Sequence, residues 1–309
     1  MDLQLELNKT GGFKNLELLA KQVVEGFIAG MHKSPFHGFS AEFAEHKIYN
    51  QGESTKHIDW KLFAKTDRLY TKRYDEETNL RCHLIVDNSA SMHYPKSAGT
   101  TIDNLNKVAF SALASASLMH ILKKQRDAVG LSIYSDNYDF YAPEKGSERH
   151  HQMLLSKLNE AVVSKPETKT TETYKYLHQI AEKIHRRSLI FVFTDMFQTA
   201  EDDEKLFEAI RHLKHNKHEV VLFHVFDKEK ELTFNFDNRP KRFIDIETGD
   251  FINLYPDNIK DNYEKSVNEY FKNLKLKCGQ YRIKYVEADI KAGFNSILTT
   301  YMLERQKFV

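Results

Sequence analysis

The chain has 309 residues, of which 41% are hydrophobic, so it can bury one large core or two modest ones without disulfides. Its 45 basic and 44 acidic residues leave a formal net charge of +1. A balance this even gives no overall field that would attract nucleic acid or an anionic membrane surface. Two cysteines, Cys82 and Cys278, follow no pairing pattern, which favours a reducing compartment and small buried thiols.

The amino terminus has neither a basic segment nor the apolar core of a signal peptide. No apolar run reaches the roughly 18 residues that a membrane-spanning helix needs. These features predict a soluble, cytoplasmic protein with no membrane span and no nucleic-acid partner.

The first 75 residues open with a helix near 15–32, followed by an aromatic, polar tract and an alternating strand at 69–74. We expect this segment to pack on the core formed by 76–309. From 76 onwards, apolar runs alternate with amphipathic segments, as in a doubly wound, mostly parallel, Rossmann-like α/β sheet. The predicted strands are 82–87, 128–134, 188–194, 219–226 and 281–287. The predicted helices are 103–124, 147–162, 173–186, 202–215, 257–275 and one near 292–305.

One stretch breaks the alternation. At about 228–256, three short apolar segments, 232–236, 242–246 and 251–254, are separated by turn residues. We therefore expect a β insertion that leaves the α/β core.

Asp87, Ser89 and Ser91 occupy alternate positions directly after the predicted strand at 82–87. A hard divalent cation such as Mg²⁺ prefers oxygen ligands in near-octahedral geometry. One carboxylate and two hydroxyls leave such an ion undercharged, so further ligands must come from elsewhere. The hydroxyl-rich turn at 169–173 and Asp195, at the end of another buried strand, are candidates because ligands gather at the carboxyl edge of such sheets.

Capping of a helix is the competing interpretation. Asp, Ser and Thr at a helix start bind backbone amides without any metal, and Asp87, Ser89, Ser91 and Asp195 all precede predicted helices. The threonines of 169–173 are open to the same interpretation.

The histidines near helix ends are weaker candidates for metal ligands. His212, His215 and His218 recur at every third position and are interleaved with lysines, which favours a solvated face that complements the helix dipole. We expect the same of His150 and His151.

A second motif lies upstream, at 49–61 and 64–66, with a Ser-Ala-Glu-Phe sequence at 40–43. This segment resembles the hallmark of the bacterial domain-of-unknown-function family fifty-eight, whose members pair it with a von Willebrand factor A-like domain. The resemblance covers roughly residues 35 to 305. We assign a packing role to the aromatic and turn residues of the hallmark, Tyr49, Gly52, Asp59 and Trp60.

The chain departs from that hallmark at Ser54 and Lys56. It has Glu53 and Ser54 where acidic residues are expected, and Lys56 where arginine is usual, so a bidentate guanidinium contact would be lost. Many relatives also begin with membrane helices, which this sequence lacks.

The resemblance implies an adhesion-type site for Mg²⁺, or another divalent ion such as Mn²⁺ or Ca²⁺. We favour Thr171 as its threonine ligand, because it lies just ahead of the predicted helix at 173–186, although Thr170 and Thr173 stay open. The implied ligands are Asp87, Ser89, Ser91, Thr171 and Asp195.

The resemblance also implies a non-enzymatic, chaperone-like role. Many members are encoded beside MoxR-type AAA+ ATPases and are thought to act with them in assembling, activating or inserting metal into client proteins. A bound ion with one open position would accept a carboxylate from a partner protein.

The best alternative is a haloacid-dehalogenase-like, Mg²⁺-dependent phosphatase, which also places an aspartate and Mg²⁺ at the end of a buried strand. The position two residues after the nucleophilic aspartate is normally a second aspartate that acts as general acid. Here that position is Ser89, which cannot do so near neutral pH. No serine-hydrolase elbow, zinc-protease helix motif or phosphate-binding glycine loop is present.

Overall fold

The structure is a computed structural model that describes ten stretches of the chain. It divides into two compact units, one formed by Met1–Ile28 with Leu80–Val309 and the other by Ala29–Asn79. The predicted boundary after residue 75 stays a prediction, since much of the smaller unit lies outside the described stretches. The ten described stretches are 16–31, 46–48, 60–66, 68–72, 80–95, 104–135, 140–164, 173–196, 203–246 and 249–306.

The larger unit is built on a six-stranded sheet. Its strands are β3 (Arg81–Asp87), β4 (Ala128–Tyr134), β5 (Phe140–Lys145), β6 (Leu189–Thr194), β7 (Glu219–Phe226) and β10 (Lys284–Asp289). Their order in the sheet is β10-β7-β6-β3-β4-β5. All neighbouring pairs are parallel except β4 and β5, so the predicted mostly parallel α/β sheet is confirmed.

The described helices are α1 (Leu16–Met31), α2 (Trp60–Thr66), α3 (Lys107–Lys124), α4 (Glu148–Val163), α5 (Thr173–Lys183), α6 (Asp203–His215), α7 (Pro256–Gln280) and α8 (Asn295–Arg305). Helices of the larger unit cover both faces of its sheet. One group, α5, α6 and part of α7, packs with Ile85 and Val192 in a continuous apolar cluster. The other group forms around α3, which contacts α4 and α8. None of the helices within the described residues is long and apolar enough to cross a bilayer.

Strands β3 and β6 lie side by side in the centre of the sheet, where both faces are buried. This explains their nearly continuous apolar sequences. Val86 pairs with Phe193, so the two strands end at the same level. Asp87 and Thr194 therefore come together at the carboxyl edge, with Asp195 directly after Thr194.

Strand β5 is absent from the sequence prediction. It contains Pro143 and two charged residues, Glu144 and Lys145, and carries no clear alternation. Proline is tolerated there because β5 is an edge strand, whose outer amides need no partner strand. It pairs with β4 across a register shift between Val129 and Leu131.

The predicted insertion forms only in part. Two antiparallel strands, β8 (Lys241–Ile244) and β9 (Phe251–Leu254), are present. The third predicted strand, 232–236, is replaced by a π-helical turn at Lys228–Leu232 followed by irregular chain. Phe234 and Phe236 pack against Phe243 through their rings, at centroid distances of 5.4 and 5.2 Å, and the apolar alternation reflects this ring packing.

The smaller unit contains α2 and an antiparallel pair of three-residue strands, β1 (His46–Ile48) and β2 (Tyr70–Lys72). Trp60, of the predicted hallmark, is the first residue of α2. The packing role predicted for Tyr49, Gly52 and Asp59 falls outside the described residues.

Three of the histidines are buried, so the solvated role predicted for them is wrong. His150 and His151 are 7% and 2% exposed, and His150 Nε2 lies 2.9 Å from the carbonyl oxygen of Val129. His218 is fully buried, and its Nδ1 accepts a hydrogen bond from the Ser188 amide at 3.1 Å. Tertiary packing overrides the charged sequence around them.

A buried polar row crosses three strands. His83 Nδ1 lies 2.7 Å from Glu144 Oε1, and His83 Nε2 lies 2.7 Å from Ser132 Oγ. A Cβ added at Gly130 would come within 2.4 Å of His83 Nδ1, so only glycine leaves room for the imidazole. The row has the residue types of a hydrolase relay, but all three side chains are closed to solvent. We assign it to the stability of the sheet.

Replacing Glu144 by alanine is expected to lower the free energy of unfolding by about 2–3 kcal/mol, because a buried imidazole loses its partner. Denaturant titration measures this loss. The matched control is Glu148→Ala, which removes an exposed glutamate paired with Lys123 and is expected to cost far less. Equal losses in the two variants would contradict the structural role of the row.

Burial lowers the pKa of His218 to about 4. Because the folded-state pKa lies below the unfolded one, His218 contributes stability above pH 6.5 that is lost as pH falls towards 4. We expect its contribution to drop by about 1–2 kcal/mol between pH 7 and pH 5. In His218→Asn, which retains a side-chain acceptor for Ser188, the pH dependence of unfolding should be shallower by that amount. An unchanged slope would show that His218 is not held neutral by burial.

Candidate metal centre

Asp87, the last residue of β3, is held by hydrogen bonds on both carboxylate oxygens. Oδ1 accepts from the Ser89 amide at 2.9 Å, and Oδ2 accepts from Thr194 Oγ1 at 2.7 Å. The residue is 2% exposed. Its carboxylate is therefore oriented by groups from its own loop and from the neighbouring strand.

Ser89 and Ser91 form the second part of the site. Ser89 precedes a 3₁₀ turn at Ala90–His93 but makes no side-chain capping hydrogen bond. Its Oγ lies 3.1 Å from Ser91 Oγ instead. Two adjacent ligands at about 2.1 Å from an octahedral Mg²⁺ would be about 3.0 Å apart. The capping interpretation thus fails for the Ser89 side chain, and the two hydroxyls have a spacing that a shared cation would accept.

Asp195, which follows β6, faces a cation supplied by the chain itself. Its Oδ2 lies 2.8 Å from Lys107 Nζ, and the same ammonium lies 2.7 Å from Glu231 Oε1. Asp195 is 2% exposed and Lys107 is 1% exposed. A buried lysine thus bridges a carboxylate of the predicted site and one from the turn after β7.

The position of Lys107 in its helix is unusual. It is the first residue of α3, which Asn106 caps by accepting from the Ala109 amide, and a cation at a helix N-terminus is disfavoured by the helix dipole. Burial also opposes its charge, but the carboxylates of Asp195 and Glu231 outweigh burial and raise its pKa. The carboxylates therefore keep this ammonium charged.

The two aspartates influence each other electrostatically. Burial, reinforced by the charge of Asp195, raises the pKa of Asp87 to about 6, although hydrogen bonds from the Ser89 amide and the Thr194 hydroxyl oppose this shift. Like charges brought together in a poorly solvated place repel each other. A further cation beside Asp87 would relieve that repulsion.

Tyr134, at the end of β4, adds a hydroxyl to the same edge. Burial and the charge of Asp87 raise its pKa well above the usual range, although hydrogen bonding with Thr194 opposes this shift. Its ring stacks on Tyr176 of α5 at 6.0 Å. Helix α5 begins at Thr173, whereas the predicted ligand Thr171 lies outside the described residues.

The structure thus brings Asp87, Ser89, Ser91 and Asp195 to one edge of the sheet. In the described part of the chain, no group of three or more His, Cys, Asp and Glu residues is suited to a metal ion, so a metal site here depends on the serine hydroxyls. Sequence reasoning missed several site residues. A single charged residue at the start of an otherwise apolar helix was a usable signal for Lys107. The residues missed are Thr194, Lys107, Glu231 and Tyr134.

The family model described as "Protein of unknown function DUF58" matches residues 45–271. The chain belongs to this family. The match covers the segment at 49–66 and the strand that ends in Asp87, so the family membership inferred from these two motifs is confirmed.

The curated relatives of this DUF58 protein include the uncharacterized proteins Mb1516 of Mycobacterium bovis and Rv1480 of Mycobacterium tuberculosis. Each is 27% identical over 107 residues, which is 35% of this chain. The chain spans about a third, 32%, of the length of these relatives.

Solved structures to which this chain is similar include the conserved hypothetical protein BatB from Bacteroides thetaiotaomicron, with a TM-score of 0.44 and 16% identity. The match covers 74% of this chain and 98% of BatB. An aerotolerance-related membrane protein from Bacteroides fragilis has a TM-score of 0.39 and 12% identity, covering 71% of this chain and 99% of that protein.

Replacing Thr194 by valine is expected to lower the free energy of unfolding in EDTA by about 1–2 kcal/mol, because a buried carboxylate loses a hydrogen bond. Denaturant titration measures the change. Thr300→Val, at a buried threonine of α8 outside the site, serves as the control and should change stability little. A Thr194→Val variant as stable as the wild type would show that the hydroxyl does not hold Asp87.

Proposed function

We propose that this DUF58 protein is a non-enzymatic, metal-dependent protein-interaction module with a fold of the von Willebrand factor A type. In this proposal Mg²⁺, or Mn²⁺ or Ca²⁺ in its place, binds at Asp87, Ser89, Ser91, Thr171 and Asp195. The open coordination position accepts a carboxylate from a partner protein. The observation that carries the proposal is the pair of serine hydroxyls 3.1 Å apart beside two buried aspartates.

The chemistry of the donor set supports this assignment. Both oxygens of Asp87 already hold hydrogen bonds, so the serine hydroxyls bind the ion directly and the aspartates act largely through water. Neutral direct ligands leave the cation with most of its charge. Such an ion attracts a carboxylate strongly, which suits it to holding another protein.

The fold also supports the proposal. The mostly parallel sheet, with an antiparallel edge strand and helices on both faces, agrees with a von Willebrand factor A-type fold.

The partner that we propose is a MoxR-type AAA+ ATPase, with which the module acts on a client protein in assembly, activation or metal insertion. This part rests on membership of the DUF58 family and on the carboxylate-binding chemistry of the site. A phosphatase is disfavoured because Ser89 occupies the position of the general acid. Turnover of a generic phosphate ester with Mg²⁺, abolished in Asp87→Asn, would overturn the non-enzymatic assignment.

The variant Ser89→Ala with Ser91→Ala should lose at least tenfold in Mg²⁺ affinity by calorimetry, because two direct ligands are removed. It should also lose Mg²⁺-dependent capture of the purified MoxR-type ATPase from the same organism, while its circular dichroism spectrum stays unchanged. The control is Ser156→Ala with Ser296→Ala, which removes two exposed hydroxyls. Capture that is equal in Mg²⁺ and in EDTA would overturn the proposal.

A further inference from the structure

Lys107 places a positive charge where the proposed metal site has its second carboxylate. Its Nζ is 2.8 Å from Asp195 Oδ2 and 2.7 Å from Glu231 Oε1. The Lys107 side chain is 1% exposed, and that of Glu231 is 15% exposed. An ammonium this deeply enclosed interacts with its neighbours through little screening solvent.

Glu231 is fixed independently of Asp195. Its second carboxylate oxygen, Oε2, accepts from the Asp227 amide at 2.6 Å, and its backbone carbonyl accepts from the Tyr263 hydroxyl at 2.9 Å. Asp227 also caps the turn at Lys228–Leu232 through its Oδ1. Glu231 can therefore hold the ammonium of Lys107 without help from Asp195.

We infer that Lys107 is a built-in counter-cation that competes with the divalent ion for Asp195 and so sets the affinity of the site. This inference rests on the proposed function and concerns the regulation of that same site. Without metal, the ammonium neutralises Asp195 and Glu231 together. When a divalent ion binds at the serine pair, repulsion between the two cations moves the ammonium towards Glu231 and leaves Asp195 to the shell of the ion.

The arrangement links the metal site to the turn after β7. Metal binding transfers the charge of Lys107 to Glu231, which is part of that turn. Conversely, any partner that draws Glu231 away returns the ammonium to Asp195 and weakens metal binding, since such coupling is reciprocal. The site is thereby built to bind its ion weakly until the lysine is released.

The test compares Mg²⁺ binding by calorimetry, and the thermal unfolding midpoint at increasing Mg²⁺, in the wild type and in Lys107→Met. Removing the competing charge is expected to tighten Mg²⁺ binding about tenfold or more. It also leaves two carboxylates without their counter-ion, so the midpoint should fall in EDTA and recover as Mg²⁺ is added.

Two controls separate charge from packing. Lys107→Arg keeps the charge, so this variant should bind Mg²⁺ as weakly as the wild type does. Lys123→Met removes a partly exposed lysine at the other end of the same helix, where it pairs with Glu148, and should leave Mg²⁺ affinity unchanged.

A second variant keeps the inference testable if Lys107→Met does not fold. Glu231→Gln removes the anchor, so the ammonium stays on Asp195 and Mg²⁺ affinity should fall severalfold. Glu229→Gln removes the same charge two residues earlier, from a glutamate paired with Lys291, and should have the smaller effect.

The outcomes distinguish this inference from the proposed function. Wild-type binding of Mg²⁺ with equal or weaker binding in Lys107→Met would overturn the role of Lys107 and leave the metal site standing. Equal effects of Glu231→Gln and Glu229→Gln would also overturn it. Absence of Mg²⁺ binding at millimolar concentration in the wild type and in Lys107→Met would overturn both.

Discussion

The whole carboxyl edge of the sheet depends on the charge of two buried aspartates that follow neighbouring strands. Asp87 and Asp195 are each 2% exposed, and carboxylates so enclosed are stable only when hydrogen bonds or cations compensate them. Asp87 obtains hydrogen bonds from Ser89 and Thr194, whereas Asp195 obtains an ammonium. Burial and the remaining repulsion between the two carboxylates still raise the pKa of Asp87.

This constraint explains why the same residues suit a cation and why a lysine stands among them. An ion held mainly by hydroxyls would leave the aspartates to neutralise it from a distance, while Lys107 supplies part of that positive charge when no ion is bound. In the proposed function, the site exists with or without metal, and a partner carboxylate binds only when the ion is present.

Much of the fold follows from the sequence because the central strands are buried on both faces. Ala128–Tyr134 and Glu219–Phe226 begin and end where their continuous apolar runs predict. The edge strand Phe140–Lys145 and the turn at Lys228–Leu232 have no such run. Their conformations depend on pairing with β4 and on capping by Asp227, and neither is visible in local sequence.

The candidate site, too, could be predicted from the sequence only in part. Asp87 ends a predictable strand, with Ser89 and Ser91 close behind it in sequence, and Asp195 directly follows the neighbouring strand. Glu231 reaches Lys107 across 124 residues, a contact that no local pattern encodes. The most direct test of the account is anomalous diffraction from crystals grown with Mn²⁺. It predicts a peak within bonding distance of Ser89 Oγ and Ser91 Oγ; a peak elsewhere, or none at this edge with Mn²⁺ in excess, would contradict it.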